Sequence, residues 1–173
     1  PMWYREEGWA MSQSSTDRLG HLYLKFLYDV DACRFTSGIQ ANLVQEKLNG
    51  GFTKPSFGWL FYQDVAYDVV QVPLRLMTRV ALYGAPTWGN RFYLYESDVP
   101  MSGYTPALYG SAFRRYMMAD YNFRFGLTLA MRIAQTIYAD RETIGSSHEQ
   151  IDKPYKTDVH ILLSYKIKTK RKR

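Results

Sequence analysis

The residue types needed for hydrolytic chemistry come together at one place in the chain, Ser146, Ser147, His148 and Glu149. A serine nucleophile needs a histidine base within hydrogen-bond reach, and a carboxylate orients that histidine. Consecutive residues seldom converge on one reacting atom, so a polar loop is the simpler interpretation and we predict no catalytic residues. A hydrolase that uses His148 with Ser146 or Ser147 remains an alternative.

The sequence contains no pattern that predicts a metal or nucleotide site. The three histidines, His21, His148 and His160, are isolated, and only Glu149 stands beside one of them as a second ligand type. The pair Gly50 and Gly51 is not followed by the Lys-Ser or Lys-Thr of a phosphate loop. We therefore predict no cofactor and no metal.

The basic charge of the chain is concentrated at its end. The net charge is +6, yet six of the 22 basic residues lie between Lys166 and Arg173. A short basic end is more often a solvated tail than a nucleic-acid-binding arm. We predict one domain over residues 1–173, with a basic tail over residues 168–173 and no nucleic-acid partner for this chain alone.

Charged side chains also occur inside the apolar segments, always at alternate positions. We predict that nine of them face an enclosed polar space: Arg34, Asp64, Arg75, Arg79, Arg114, Asp120, Arg124, Arg132 and His160. Enclosed charges must pair or be hydrated. In a narrow barrel they would form a structural network, whereas in a wider one they would line a weakly anion-favouring passage.

The elements that position these charges have the period of β-strands. From Phe123 to Tyr138, seven of the eight odd positions are apolar and both arginines occupy even positions. The segment from Val159 to Ile167 repeats this alternation. We predict that the apolar positions face lipid, namely Phe125, Leu127, Leu129, Met131, Ile161 and Leu163.

Strand length and composition favour a membrane over water. Several alternating segments reach ten residues, which suits tilted membrane strands of roughly 9 to 11 residues better than soluble strands. Aromatic residues make up 16% of the chain, and no apolar run is long enough for a spanning helix. A soluble β-barrel or sandwich that binds an apolar ligand would also alternate, so it stays open as a second interpretation.

We predict an all-β fold, an antiparallel up-and-down transmembrane β-barrel that is either complete or part of a larger barrel. Bacterial barrels place tight turns at the periplasm and long loops outside. This rule predicts an external loop over Ala139–Thr157, a turn at Tyr121–Asn122 and an extra short strand between Asp98 and Tyr109. With a weak strand over Trp3–Ala10, about ten strands are expected.

Several stretches resemble the C-terminal region of large Bacteroidetes proteins that carry a competence-type helix-hairpin-helix segment upstream of an outer-membrane barrel. The resemblance rests on residues 58–64, 91–96, 106–110 and 134–141, and then on 144–146 and 149–151. Such barrels usually end on an aromatic residue, whereas this chain continues through residues 168–173.

The resemblance implies a location and an architecture rather than a reaction. We expect a non-enzymatic barrel in the outer membrane of a Gram-negative bacterium that acts as a pore, a scaffold or a subunit of a cell-envelope assembly. Its partners would be the lipid bilayer and other envelope proteins. The chain starts at Pro1 without a leader-like segment, so we also expect a processed or truncated product.

Overall fold

The computed structural model describes residues 3–13, 17–48, 51–102, 105–145 and 150–167. The fold is all-β, as the alternation predicts. The strands are β1 (Trp3–Gln13), β2 (Asp17–Val30), β3 (Cys33–Leu48), β4 (Gly51–Phe52), β5 (Ser56–Asp68), β6 (Leu74–Ala85), β7 (Phe92–Tyr93), β8 (Ala107–Leu108), β9 (Gly110–Asn122), β10 (Leu127–Tyr138) and β11 (Tyr155–Tyr165). A 3₁₀ turn covers Trp88–Asn90. None of the helical structure in the described residues is long and apolar enough to cross a membrane.

The long strands form one antiparallel up-and-down sheet in the order β1-β2-β3-β5-β6-β9-β10-β11. The short strand β4 pairs with the end of β3, and β7 pairs with β8 as a separate ribbon. Within the described residues β1 pairs only with β2 and β11 only with β10, so the sheet has two open edges.

Neighbouring strands are staggered in one direction across the sheet. Starting from Trp3 of β1, each residue can be followed to its partner on the next strand across the sheet. The partners are, in order, Tyr28, Phe35, Val65, Thr78, Met117, Ile133 and, on β11, Val159. Trp3 begins β1, whereas Val159 lies six residues before the end of β11. The stagger therefore amounts to about one residue per strand. A barrel whose shear number equals its strand number has the same stagger, and its strands tilt by about 36°.

The two ends of the sheet differ in the length of their connections. The turns after β2, β5 and β9 span only a few residues, and β1 begins and β11 ends at this same end of the sheet. The connections after β6 and β10 are the long ones, and both lie at the opposite end. We call these the turn end and the loop end of the sheet.

The strand alternation is confirmed, but three details differ from the sequence-based expectation. First, β10 starts at Leu127, because Gly126 adopts φ +94 and the Phe123 N–H donates to Leu127 O to close a turn over residues 123–126. The left-handed region is open to glycine at little steric penalty, so the turn forms there and not at Tyr121–Asn122. Apolar odd positions continue into this turn, and periodicity alone could not separate it from the strand.

Second, the described part of the stretch between Asp98 and Tyr109 contains only β8, not a membrane-length strand. Third, the run 91–96, which reads as a strand, is extended over two residues only, in β7. The described residues therefore contain eight long strands instead of about ten. The rule that places tight turns at one end no longer requires the extra strand, because residues 86–109 form a single connection between β6 and β9.

That connection crosses one face of the sheet and forms the core with it. We call residues 90–99 the inner segment and the face that they contact the inner face. Phe92 and Leu94 of the inner segment are buried together with Leu60, Tyr62 and Tyr83 of the sheet. Small side chains surround this contact and leave space for the segment: Ala81, Ala85, Ala112, Ala130 and Ala134 are all buried.

Candidate functional site

The centre of the inner face is a buried ion-pair network. Glu96, at the middle of the inner segment, has a side chain only 1% exposed and accepts hydrogen bonds from two arginines. Arg114 of β9 donates through Nε to Oε1 at 2.6 Å and through Nη2 to Oε2 at 2.8 Å. Arg132 of β10 donates through Nη2 to Oε2. One carboxylate therefore holds two adjacent strands to the inner segment.

A second carboxylate extends the network to the edge strand. Asp98 accepts a hydrogen bond from the Val99 backbone N–H at 2.7 Å, and its two oxygens lie 2.8 and 2.9 Å from Nδ1 of His160 on β11. Burial alone would raise the pKa of Asp98, but the hydrogen bonds from His160 and Val99 and the nearby charge of Arg132 lower it below its ordinary value. Asp98 is therefore held as an anion.

A third pair lies nearer the turn end. Arg79 of β6 makes a two-pronged ion pair with Asp64 of β5 and donates to the backbone oxygen of Tyr95 at 2.6 Å. Its guanidinium also lies over the Tyr62 ring, 4.7 Å from the centroid. The three buried arginines 79, 114 and 132 thus face three carboxylates, so their formal charges balance.

The start of the inner segment is fixed by uncharged groups. Asn42 of β3 donates to the backbone oxygen of Asn90 at 2.8 Å, and Asn90 donates back to Oδ1 of Asn42 at 2.9 Å. Asn90 also donates to the Ser56 carbonyl at 3.0 Å. Gly58 lies beneath this contact, and a Cβ there would overlap Oδ1 of Asn42. A glycine is therefore required for Asn90 to approach the sheet.

Taken together, the inner segment contacts seven of the eight long strands. Phe92 lies against His21 of β2, with ring centroids 6.4 Å apart. Asn90 reaches β3 and β5, Tyr95 reaches β6, Glu96 reaches β9 and β10, and Asp98 reaches β11. The segment is thus tied across the sheet in nearly the order of the strands. The inner segment therefore covers the centre of the inner face.

The residues predicted to face an enclosed polar space are distributed unevenly. Arg79, Arg114 and Arg132 are buried in the network, Asp64 and His160 border it, and Asp120 is half-buried. Arg34 and Arg75 share the inner face but are exposed at the turn end, where they pair with Asp29 and Asp68. Arg124 differs from the prediction: it lies exposed in the β9–β10 turn, since β10 starts only at Leu127.

A small cavity occupies the inner face near the turn end. Its volume is about 160 Å³, and its lining includes Arg34, Asp64, Arg75 and Ser97. The cavity can hold several water molecules among charged groups that already have partners. No cluster of metal-ligating side chains occurs in the described residues. The Ser146–Glu149 stretch and the basic tail 168–173 lie outside the described residues.

The opposite, outer face presents large apolar side chains to its surroundings. The exposed ones include Leu22, Phe26, Ile39, Leu43, Trp59, Phe61, Leu76, Val80, Leu82, Met117, Met131, Ile133, Ile137, Val159, Ile161 and Leu163. Of the positions predicted to face lipid, Ile161 is 62% and Leu163 66% exposed, Met131 is exposed, and Leu127 and Leu129 are half-exposed on this face. Phe125 is exposed in the turn rather than on a strand.

Sequence reasoning missed two of the three carboxylates of the network, Glu96 and Asp98, as well as Asn90. All three residues lie in the connection between β6 and β9, in which the sequence predicts only an extra short strand between Asp98 and Tyr109. The available signal was the alternation of buried Phe92, Leu94 and Glu96 with exposed Tyr93 and Tyr95. An excess of arginines on one face also required carboxylates from elsewhere in the chain.

Comparison with known proteins gives no further guide to the role of this site. No protein-family model, no curated protein and no solved structure matches the chain.

Proposed function

We propose that this chain is a wall of an outer-membrane β-barrel with no enzymatic activity, and that it serves as a closed scaffold or subunit of a cell-envelope assembly. The observation that carries the proposal is the inverted sidedness of the sheet. Arg132 is buried on one face while Ile161 and Leu163 of the neighbouring strand are mostly exposed on the other. An apolar face that extends over seven of the eight long strands is far larger than the scattered exposed residues of soluble monomers, and it suits contact with hydrocarbon.

Two further features support a barrel wall. The stagger of about one residue per strand gives the tilt that closed membrane sheets need. The tight turns after β2, β5 and β9 lie at one end and the two longest connections, after β6 and β10, lie at the other, as in barrels whose short turns face the periplasm. We propose the outer membrane as the compartment because the sequence resembles the Bacteroidetes barrel region.

A scaffold is favoured over an open pore because the inner segment fills the inner face. Glu96 and Asp98 neutralise the arginines that would otherwise line an anion path, and Asn90 fixes the segment at its start. A mobile gate would need weak, solvated contacts. The contacts here are buried and charge-assisted, so the closed arrangement is the stable one.

The test replaces one outer-face residue with a charge. In the proposed membrane setting, Ile161→Arg places a guanidinium in hydrocarbon, which costs about 2 to 4 kcal/mol near the midplane. We expect loss of the heat-modifiable form in gel mobility and loss of the protein from the outer-membrane fraction. Thr143→Arg, at an exposed position in the β10–β11 connection, is the matched control and should insert normally.

In water the same Ile161→Arg change would replace an exposed apolar side chain with a soluble one and would improve solubility. A chain that is folded and monomeric in buffer without detergent, with Ile161→Arg as stable as the unchanged protein, would overturn the proposal.

A further inference from the structure

Aromatic side chains on the outer face form two rows, one near each end of the sheet. Within two residues of the turn end lie Tyr28, Phe35, Tyr67, Tyr121 and Tyr165, and within three residues of the loop end lie Phe57, Trp59, Phe113 and Tyr155. On β9 the two rows are eight residues apart, from Phe113 to Tyr121. At about 3.4 Å per residue and a tilt of about 36°, this is a height of about 22 Å, close to the roughly 25 Å apolar band of outer-membrane barrels. In the proposed membrane setting, the hydrocarbon boundary at the loop end therefore passes near Phe113.

Arg115 of β9 lies just inside that boundary. Among the strand side chains that the structure describes on the outer face, only Arg115 carries a charge, and it is exposed. Its one hydrogen bond within the described residues runs from Nη2 to Oε1 of Gln135 at 2.9 Å, and it pairs with no carboxylate there. Its positive charge is therefore uncompensated, whereas the arginines of the inner network all have carboxylate partners.

The contact with Gln135 orients the guanidinium without neutralising it. Gln135 lies beside Arg115 on β10, and Thr157 lies beside Gln135 on β11. The amide nitrogen of Gln135 donates to Oγ1 of Thr157 at 3.3 Å, so the amide oxygen is turned towards Arg115. Nε and Nη1 of Arg115 donate no hydrogen bond within the described part of the chain, so these donors are open to an anion.

The outer face continues from Arg115 towards the turn end with apolar side chains. Met117 of β9 and Ile133 of β10 are direct partners, 66% and 51% exposed, and lie one outward position beyond Arg115 and Gln135. A cation at the boundary with hydrocarbon-facing side chains below it matches the order of groups in a phospholipid, from its phosphate to its acyl chains. A free anion would match the charge alone. Charge and apolar surface together therefore favour a lipid as the occupant.

We propose that Arg115 binds the phosphate group of a membrane lipid on the outer face near the loop end, with an acyl chain of that lipid against Met117 and Ile133. Gln135 and Thr157 are the positioning residues of this site. The proposal rests on the membrane function proposed above and names a partner for the outer face. An arginine about two residues inside the boundary can extend its head to the level of the headgroups, where the phosphate compensates its charge.

The experiment measures binding of phosphatidic acid to the full chain in its folded, heat-modifiable form in detergent. A lipid that binds only the folded state raises Tm by mass action, so the rise in Tm with lipid concentration gives an apparent Kd. Arg115→Gln should need about 10 to 100 times more phosphatidic acid for the same rise, because it loses a hydrogen bond to a charged group. Arg115→Lys keeps the charge and should stay closer to the unchanged protein.

The matched control is Arg34→Gln, which removes the same charge from an exposed position on the inner face, at the turn end. It should bind phosphatidic acid as tightly as the unchanged protein. Diacylglycerol, which has the acyl chains without the phosphate, and inorganic phosphate, which has the phosphate without the chains, should both leave Tm unchanged at the same concentrations.

Equal binding of phosphatidic acid by Arg115→Gln and the unchanged protein overturns the inference. An equal rise in Tm with inorganic phosphate also overturns it, because Arg115 then binds a free anion. Loss of a co-purifying protein in Arg115→Gln, with lipid binding retained, would assign the charge to an acidic protein partner instead. A chain that folds in plain buffer and is not heat-modifiable refutes the membrane function and the lipid site with it, so the two failures are distinguishable.

Discussion

The decisive perturbation of the buried network is the removal of one charge, Glu96→Gln. The amide keeps the shape of the side chain, but the two guanidinium groups of Arg114 and Arg132 lose their shared anion. All three side chains are at most 5% exposed, so water cannot replace the lost charge. Breaking a buried pair in this way lowers the free energy of unfolding by about 3 to 5 kcal/mol.

For a chain of this length each kcal/mol shifts Tm by about 2 to 4 °C. Glu96→Gln should therefore lower Tm by about 6 to 20 °C, measured by heating the folded protein in detergent and scoring the folded band on a gel. The control is Glu142→Gln, which removes the same charge from an exposed position in the β10–β11 connection. If Glu96→Gln stays within about 2 °C of that control, a value below one kcal/mol, the ion pairs do not hold the inner segment and the closed-scaffold argument is refuted.

Two further changes test the seat of the inner segment. Gly58→Ala places a Cβ against Oδ1 of Asn42 and should destabilise the protein by about 1 to 3 kcal/mol in the same thermal assay. The control is Gly20→Ala, whose Cβ would meet its nearest neighbour at 4.0 Å and which should leave Tm unchanged. Equal Tm values for the two variants would contradict the contact between residue 58 and Asn42. Because the pKa of Asp98 is lowered in the folded protein, its contribution to stability is present above the ordinary aspartate pKa of about 3.9 and is lost as the pH falls through the lower folded value. Asp98→Asn should therefore make the fall in Tm between about pH 5 and pH 2 shallower than in the unchanged protein. If the two proteins lose Tm equally over this range, the charge of Asp98 does not stabilise the fold.

Much of the sheet can be predicted from the sequence, because strand period and face polarity are local properties. The alternation from Leu127 to Tyr138 specifies both the strand and which of its side chains share a face, and the charged positions 79, 114 and 132 follow from the same rule. The positions near strand ends are less predictable. Arg124 lies two residues from Gly126, and the turn at that glycine takes it out of the strand.

The inner segment is not predictable in this way, since its position depends on contacts distant in sequence. Asn90 meets Asn42 across 48 residues, and Asp98 meets His160 across 62. A run such as 91–96 has the composition of a strand, and the surplus of arginines on one face of the sheet indicates that carboxylates come from elsewhere in the chain but not which ones. Two of the three carboxylates of the site, Glu96 and Asp98, were therefore missed, while Asp64 and the three arginines were found.

The direct pairing of β6 with β9 has a consequence for how the chain folds. All other long-strand neighbours are joined by shorter connections, whereas β6 and β9 meet only after a 24-residue excursion. Relative to the five-residue turn between β5 and β6, closing that excursion costs about 1.4 kcal/mol more in chain entropy, a factor of about ten in rate. The hairpins of β1 to β6 and of β9 to β11 should therefore form early, and the pairing of β6 with β9 should form late. That late step encloses residues 86–109 between the two parts of the sheet.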